Sequence, residues 1–219
     1  MLLEIDNLKK SYVSPDGERS TVVNIPRFEL KEGAQVALEG QSGCGKTTFL
    51  NLIAGILQAD SGTIVLNGNS ITEMSESARD GVRAQTVGYV FQTFNLLQGY
   101  TALENVALGM MFGPGADYDR ARKLLERVGL GDRLNYRPRQ MSVGQQQRVA
   151  VARALANNPK LVLADEPTGN LDHRNAQASL KLIREACTEN GAALLLVSHD
   201  RDVLGAFESV QNLSKINLK

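Results

Sequence analysis

Alternating apolar and polar residues fill the first third of the chain in short runs that turn-forming residues separate. Such alternation predicts β-strands with one buried face. Proline, glycine, aspartate and serine occur in the segments 14–17 and 60–62, and these residues favour reversals of chain direction. The pattern therefore predicts a region of antiparallel sheet, with strands at Leu2–Leu8, Thr21–Ile25, Arg27–Leu30 and Thr63–Leu66.

The middle of the chain has helical periodicity. Apolar residues recur at helical spacing from Thr101 to about Asn158, for example in Arg120–Val128 and Val149–Ala156. Glycine and proline interrupt this pattern within residues 113–115 and 137–138. Residues Met74–Gln85 are polar, and an irregular segment or a short helix is expected there. The long helical stretch predicts a separate lobe.

Apolar runs that are short enough for buried strands occur at Ala34–Leu38, Leu161–Ala164 and Ala192–Val197. A helical pattern over Ala176–Ala186 joins the last two runs, and together they form a βαβ unit with parallel strands. We therefore predict a single α/β domain over residues 1–219. Its core comprises about residues 1–92 and 160–219, and a helical lobe of about residues 93–159 is inserted between them.

The composition of the chain excludes some classes of binding partner and of cellular location. The 24 Lys and Arg residues balance the 24 Asp and Glu residues, so the formal net charge is zero and no nucleic-acid partner is expected. No apolar run reaches membrane-spanning length, and the first six residues do not resemble a signal peptide. Two cysteines do not form a disulfide framework, which is typical of proteins in a reducing cytosol. Any role at a membrane is therefore expected to depend on a partner protein.

A glycine-rich segment at residues 40–48 carries the strongest chemical signal. It fits the pattern G-x-x-x-x-G-K-[ST] and lies between a predicted strand and apolar residues at helical spacing. A loop at a helix start directs backbone N–H groups and the positive end of the helix dipole at one point, which suits a polyphosphate. Lys46 is expected to contact the β- and γ-phosphates, and the Thr47 hydroxyl to bind Mg²⁺. The predicted nucleotide-binding residues of this segment are Gly40, Ser42, Gly43, Cys44, Gly45, Lys46, Thr47 and Thr48.

Chemically active residues follow both of the C-terminal apolar runs. Asp165 and Glu166 come directly after the first run, and His199 follows the second after one serine. Ligands gather at the carboxyl ends of parallel strands, so these side chains are expected beside the phosphates. We expect Asp165 to hold Mg²⁺ through water, Glu166 to deprotonate the attacking water and His199 to hydrogen-bond a phosphate oxygen. The sequence therefore predicts hydrolysis of a nucleoside triphosphate, with Glu166 and His199 as catalytic residues.

A second helix start is predicted at Ser142. Ser142 and Gln145 have the spacing of a capping box, which by itself explains a well-started helix. Gly144 costs a helix about 1 kcal/mol relative to alanine, yet it leaves room for an anion at the helix N-terminus. Because residues 40–48 already precede one helix, this second site is expected to serve another nucleotide. Two copies of the chain could then share two nucleotides reciprocally under twofold symmetry.

In this order the motifs resemble the full motif set of the ATPase subunits of ATP-binding cassette (ABC) transporters. The resemblance extends over essentially the whole chain and rests on residues 40–48, Gln92, residues 141–145, residues 161–166, residues 171–172 and His199. It implies a P-loop NTPase (RecA-like) core with an antiparallel β subdomain and an inserted α-helical lobe. It also implies ATP hydrolysis with Mg²⁺ as cofactor and a head-to-tail homodimer around two ATP molecules.

The resemblance assigns roles to residues that the pattern alone does not explain. Gln92 is implied to contact Mg²⁺ and to sense a transmembrane permease at the junction with the helical lobe. Asp172 is implied to tune the crossing between the two nucleotide sites, and Tyr12 to stack on adenine.

The segment around Ser142 corresponds to the signature motif of the family. The resemblance implies that Ser142, Gly144 and Gln145 bind the γ-phosphate held by the other protomer. The family usually has two adjacent glycines after the serine, whereas this chain has Val143 at the first of these positions. Valine is stiff and bulkier than glycine, but in a first helical turn it can point away from the nucleotide.

Residues 94–97, 101–106 and 164–172 are most similar to one subgroup, which includes the lipoprotein-release, macrolide- and peptide-export and glycolipid-export ATPases. The subgroup implies a separate permease that closure of the ATPase dimer moves mechanically, at the cytoplasmic face of the inner or plasma membrane. An amino-acid-importer ATPase and a cell-division-type signalling ATPase are the alternatives. The apolar segment Thr93–Tyr100 is the expected permease contact. The cargo is not predicted, because cargo contacts belong to the permease.

Overall fold

The structure, a computed structural model, describes residues 1–218. The strands within these residues are β1 (Leu3–Val13), β2 (Arg19–Leu30), β3 (Gln35–Glu39), β4 (Ser61–Leu66), β5 (Asn69–Ser70), β6 (Val87–Val90), β7 (Leu161–Asp165), β8 (Ala193–Ser198) and β9 (Ser209–Asn212). The helices are α1 (Lys46–Ile53), α2 (Glu76–Thr86), α3 (Ala102–Leu108), α4 (Tyr118–Arg127), α5 (Val143–Ala154), α6 (His173–Glu189), α7 (Arg201–Leu204) and α8 (Leu213–Ile216). Short 3₁₀ turns lie at Gly131–Arg133 and Pro138–Gln140.

The strands form two sheets of different type. In the first sheet, β2, β1, β4 and β5 pair antiparallel in that spatial order. In the second sheet, β6, β7, β8, β3 and β9 pair parallel in that order. Parallel neighbours need crossover connections, and helices lie within those connections. The predicted α/β class with a separate antiparallel region is confirmed.

Alternate residues of the parallel sheet pack into two different cores. On β8, Leu194 and Leu196 belong to one core, whereas Leu195 and Val197 belong to the other. Successive side chains of a strand point to opposite faces, so both faces of this sheet are covered. The first core contains apolar residues of α3, α4, α5 and α6, and the second contains those of α1 and the antiparallel sheet. The parallel sheet is therefore the middle of three layers.

Two strands predicted separately near the N-terminus are one strand in the structure. β2 runs through Pro26, the residue between the two predicted segments. Proline lacks a backbone N–H, but β2 is the edge strand of its sheet, with β1 as its neighbour, and an edge tolerates the missing donor. Opposite Pro26 the pairing skips Asn7, which has a φ of +51°. The edge position therefore lets the strand continue past the proline.

The sequence pattern does not predict the two edge strands of the parallel sheet. β6 and β9 have four residues each, and they pair with β7 and β3. Such short runs are extended because they hydrogen-bond to the backbone of a neighbouring strand. This pairing leaves no periodic pattern in the local sequence. The polar segment after Met74 is a helix rather than an irregular stretch, and the Ser75 hydroxyl caps it by accepting from the Ala78 N–H.

The helical periodicity in the middle of the chain corresponds to α3, α4 and α5, which follow one another between β6 and β7. These three helices pack against one another, and their apolar residues belong to one core. Within residues 1–218, no helix combines the length and the apolar character that crossing a membrane requires.

Candidate functional site

Four strands of the parallel sheet end at the same edge, and each leads into residues predicted for the site. β3 leads into the loop that starts at Gly40, β6 into Gln92, β7 into Glu166 and β8 into His199. A cavity of about 340 Å³ lies at this edge. Its lining comprises Val22, Ser42, Gly43, Gly45, Lys46, Thr47, Thr48, Gln92, Asp165, Glu166 and His199.

All of these residues except Val22 are predicted from the sequence. Val22 enters from the antiparallel sheet, and no motif in the sequence marks it. Other predicted site residues lie outside the lining: Tyr12, Gly40, Cys44, Ser142, Gly144, Gln145 and Asp172.

The glycine-rich loop turns sharply into α1. Gly45 stands at the helix N-cap with a φ of +99°, which L side chains rarely adopt. A Cβ there would also lie 2.8 Å from the carbonyl oxygen of Val22, so the close approach requires glycine as well. The first turn of α1 lines the cavity and contains no acidic residue. Its N–H groups and the helix dipole therefore suit an anion.

Lys46 lies at the centre of the loop and is 8% exposed. Its Nζ donates to the carbonyl oxygens of Gly40 at 2.6 Å and Gln41 at 3.1 Å. The same ammonium group lies 3.1 Å from Oε1 of Glu166. A buried charge needs such partners, and they hold the cation inside the cavity.

Glu166 is constrained both at its backbone and at its side chain. Its φ of +43° is unusual for a residue other than glycine, and its side chain is buried. Oε1 lies 2.7 Å from Nδ1 of His199, and Oε2 accepts a 3.0 Å hydrogen bond from the Ser198 hydroxyl. Backbone strain and three side-chain partners thus fix the direction of this carboxylate.

Asp165, Thr47 and Gln92 present oxygen atoms to the same cavity. Burial raises the pKa of the Asp165 carboxyl above its usual value; a hydrogen bond from Thr47 opposes the rise, Glu166 adds to it, and Lys46 opposes it. A carboxylate, a hydroxyl and an amide oxygen are hard ligands, and Mg²⁺ in nucleotide sites takes few protein ligands besides phosphates. The residues present therefore fit the predicted Mg²⁺.

The loop after β7 holds Gln92 in place. Asn170 donates through Nδ2 to the Gln92 carbonyl oxygen at 2.7 Å. A Cβ on Gly169 would meet Nε2 of Gln92 at 3.5 Å, so the amide lies directly over this glycine. The position of Gln92 is thus tied to the strand that carries Glu166.

The predicted capping box at the start of α5 is present. The Ser142 hydroxyl accepts from the Gln145 N–H at 3.3 Å, and Oε1 of Gln145 accepts from the Ser142 N–H at 2.9 Å. Val143 is 48% exposed, so the residue that departs from the family pattern points into solvent. The start of α5 is an exposed helix N-terminus outside the cavity.

Asp172 is engaged within its own chain. Its side chain caps α6 by accepting from the Asn175 N–H at 3.0 Å and from the Asn175 side chain at 2.5 Å. These hydrogen bonds hold the pKa of the Asp172 carboxyl below its usual value. A Cβ on Gly144 would lie 3.3 Å from Oδ1 of Asn175, so this asparagine connects Asp172 to the start of α5.

Tyr12 and Cys44 lie outside the cavity lining. Tyr12 is on β1 with 43% exposure, and Nζ of Lys10 lies 5.8 Å from its ring centroid. Its contact with adenine stays a prediction. Cys44 is half-buried, and its carbonyl accepts a hydrogen bond from Asn217.

Two polar residues of the site are not among the predictions. Ser198 donates to Glu166 from the end of β8, and Asn170 holds the Gln92 loop. Ser198 directly precedes His199 in the sequence, so its position at the end of a predicted strand could have identified it as a site residue. Asn170 acts on a segment distant in sequence, and no local pattern indicates that contact.

The chain is similar to known proteins over most of its length. Residues 23–169 match the family model described as ABC transporter. The dimeric structure of the ATP-binding cassette MJ0796 in a post-hydrolysis state, bound to ADP and Pi, has 34% sequence identity to this chain and a TM-score of 0.87. That match covers 96% of this chain and 93% of the other. A second dimeric structure, of MJ0796 as a bacterial ABC transporter cassette, gives the same values.

The family model spans more than half of the chain. The solved cassettes superpose on nearly all of the chain, and their 34% sequence identity is high enough to indicate a common family as well as a common fold. The glycine-rich loop, the buried carboxylates and the parallel sheet occupy the positions that such a nucleotide-binding fold requires. The chain therefore belongs to the ABC transporter family, as an ATP-binding cassette ATPase with a P-loop NTPase fold.

Proposed function

We propose that this protein is the ATP-hydrolysing subunit of an ABC transporter, which dimerises around two ATP molecules and drives a separate membrane permease. One observation carries the hydrolytic role. The Glu166 carboxylate lies 3.1 Å from Nζ of Lys46 and 2.7 Å from Nδ1 of His199, in a cavity that the N-terminus of α1 also lines. A base and a phosphate-binding cation thus meet at one point.

The side chains of the cavity divide the reaction among them. Lys46 and the N–H groups of the first turn of α1 would hold the β- and γ-phosphates. Glu166 would orient the attacking water and accept its proton. The His199 ring is 67% exposed and uses Nδ1 toward Glu166, so its Nε2 can reach a phosphate oxygen.

Mg²⁺ bound with ATP would be held by Thr47, Gln92 and Asp165, and it would neutralise charge on the phosphate oxygens. Asn170 would keep Gln92 in reach of that position through its hydrogen bond to the backbone.

The location of Ser142 supports a dimer. Ser142, Gly144 and Gln145 start an exposed helix outside the cavity of their own chain. In a head-to-tail pair this helix N-terminus would face the γ-phosphate held by the partner. The MJ0796 cassettes, which are similar over nearly the whole chain, are dimeric.

Mixing two inactive variants tests whether two chains share each site. Ser142→Asp keeps a good helix N-cap but places a carboxylate against the γ-phosphate, so it should inactivate the protein in trans. Lys46→Ala should inactivate it in cis. A mixed dimer has one site with both changes and one intact site. Equal amounts of the two variants should therefore recover about a quarter of the wild-type ATPase rate per chain, because about half of the dimers are mixed.

The neutral variant Ser142→Asn retains the N-cap without the added charge, and it is expected to stay active. The double variant Lys46→Ala/Ser142→Asp, mixed with either single variant, should recover nothing, because every mixed dimer then has a change in each site. A rate no higher than that of the separate variants would contradict reciprocal sites.

The proposed permease contact is an exposed surface beside Gln92. Leu97 and Tyr100 are 49% and 45% exposed, whereas Phe94 and Leu96 are buried and belong to the core. A further cavity of about 340 Å³ lies nearby, lined by Phe91, Phe112 and Arg153 among other residues. Such an apolar groove suits a short amphipathic helix.

Two side chains of the helical lobe hold this segment in a defined shape. Arg153 donates to the carbonyl oxygens of Phe94 and Asn95 at 2.6 Å each, and both residues have positive φ. The Asn105 side chain bonds the backbone of Leu97 twice. Its Oδ1 accepts from the Leu97 N–H at 2.8 Å, and its Nδ2 donates to the Leu97 carbonyl oxygen at 3.1 Å. A movement of the lobe would therefore be transmitted to the residues that follow Gln92.

Leu97→Asp tests the proposed contact. Because the side chain is half exposed and its backbone bonds remain, the variant is expected to fold with nearly wild-type stability, as is usual for surface substitutions. Its basal ATPase activity should stay within about twofold of wild type, because Leu97 lies outside the cavity lining. Recovery of transmembrane proteins by affinity capture from detergent-solubilised membranes of the source cells should be lost. Val210→Asp, on β9 with 44% exposure, is the matched control and should retain capture. Loss of basal activity in Leu97→Asp would place the segment in the catalytic core.

The export or mechanotransmission subgroup rests on residues 94–97, 101–106 and 164–172. Part of that similarity has a structural reason, since Thr101 and Glu104 form a capping box for α3 and Asn105 fixes the preceding loop. The proposed location is the cytoplasmic face of the inner or plasma membrane, reached through the permease.

A further inference from the structure

Asn217, directly after α8, connects the glycine-rich loop to the antiparallel sheet. Its side chain is buried, with the residue 5% exposed. Nδ2 donates to the carbonyl oxygens of Val22 at 2.9 Å and Cys44 at 3.2 Å, and Oδ1 accepts from the Asn24 N–H at 2.6 Å. One carboxamide thus joins three segments that are distant in sequence.

The bond to Cys44 has a geometric consequence for Gly45. A trans peptide unit is planar, and its C=O and N–H groups point in opposite directions. The Cys44 carbonyl and the Gly45 N–H belong to the same peptide unit. By holding the carbonyl on one side, Asn217 directs the Gly45 N–H to the other side. Gly45 lines the cavity, and N–H groups at a helix start are phosphate ligands.

The Val22 carbonyl adds a second constraint on the same residue. It lies 2.8 Å from the position of a Cβ on Gly45, and it is also the first acceptor of the Asn217 amide. The loop, β2 and the residue after α8 therefore meet at one point beside the cavity. No atom of Asn217 belongs to the cavity lining itself.

We infer that Asn217 is a positioning residue, which orients the Cys44–Gly45 peptide for phosphate binding. This inference rests on the proposed binding of ATP at the loop. Because an oriented N–H contacts phosphate in the ground state and the transition state alike, its loss should weaken binding without slowing the chemical step.

The variants Asn217→Ala and Asn217→Asp test this inference. Alanine removes all three hydrogen bonds, and aspartate keeps the acceptor for Asn24 but loses both donors. Asn217→Ala should raise the Kd of a fluorescent ADP analogue and the KM for ATP about tenfold, the effect of one lost hydrogen bond. Asn217→Asp should raise both at least as much, because its carboxylate faces two carbonyl oxygens. In both variants kcat at saturating ATP should stay within about twofold of wild type.

Asn24→Ala is the matched control. The Asn24 side chain donates to the Leu218 carbonyl oxygen at 2.6 Å, so it holds the same C-terminal segment on β2 without bonding the loop. It should leave the Kd of the ADP analogue unchanged. An equal loss of affinity in Asn24→Ala and Asn217→Ala, or wild-type affinity in both Asn217 variants, would overturn the inference.

If the Asn217 variants do not fold, as shown by the lack of a cooperative unfolding transition, a measurement on the wild-type protein tests the inference instead. In ¹H–¹⁵N spectra, ADP should shift the side-chain NH₂ signals of Asn217 more than those of Asn24. Equal shifts, or none for Asn217, would overturn the inference. Absence of ADP binding to the wild-type protein would instead contradict the proposed function, so the two failures are distinguishable.

Discussion

Replacement of Glu166 by glutamine is expected to abolish ATP turnover while leaving ATP binding intact. The amide has nearly the shape of the carboxylate and keeps one acceptor oxygen for Ser198 or His199, but it does not accept a proton from water. General bases contribute about 100-fold to 10,000-fold to the rate, so a steady-state loss of at least about 100-fold is expected. Phosphate release measured at saturating Mg-ATP checks this result.

The trapped state provides a second measurement on the same variant. ATP that binds without hydrolysis should hold two chains together, and size-exclusion chromatography should show a dimer in ATP and a monomer in ADP. Glu185→Gln, an exposed glutamate on α6, is the matched control and should hydrolyse ATP at the wild-type rate. Near-wild-type hydrolysis in Glu166→Gln would remove Glu166 from the role of base.

Replacement of Lys46 by alanine is expected to weaken nucleotide binding itself. The variant deletes the buried ammonium group of the loop, and hydrogen bonds to charged groups contribute about 1.5–3 kcal/mol, so Kd for ATP should rise about 10-fold to 150-fold. The Glu166 carboxylate also loses its cation at 3.1 Å, which adds a cost in the absence of nucleotide. Titration calorimetry with ATP under conditions without turnover measures the change.

The control for this prediction is Lys181→Ala, on the exposed face of α6, where the side chain is 75% exposed. It removes the same charge from the surface and should leave the Kd for ATP unchanged, because exposed pairs contribute little. If Lys46→Ala binds ATP as tightly as Lys181→Ala does, the loop is not the phosphate site.

The contents of the candidate site were predictable because they follow local rules. A glycine-rich loop between a strand and a helix is one continuous segment, and its residues interact mainly with their chain neighbours. Asp165 ends a buried strand, and Glu166 and His199 directly follow buried strands, so the rule for carboxyl ends of parallel strands was enough to place them at one edge. The capping box of Ser142 and Gln145 likewise depends on residues three positions apart.

Prediction was poorer where a distant segment decides the conformation. Pro26 separates two predicted strands, yet the edge position of β2 lets the strand continue. β6 and β9 are too short for a periodic signal and are extended because β7 and β3 lie beside them. Phe94 and Leu96 are as apolar as Leu97, and only the packed structure separates core residues from surface residues.

The sequence by itself determined which residues make up the candidate nucleotide site, since chain order and residue type specify the loop, the strand ends and the helix starts. The tertiary structure decided how those residues are held. Ser198 and His199 fix Glu166, Asn170 holds Gln92, and Asn217 bonds the loop to β2. These contacts join segments whose separation in the sequence carries no signal. Pairing of neighbouring strands in the parallel sheet brings the first two together, and packing of the antiparallel sheet against the loop brings the third, rather than local backbone preference.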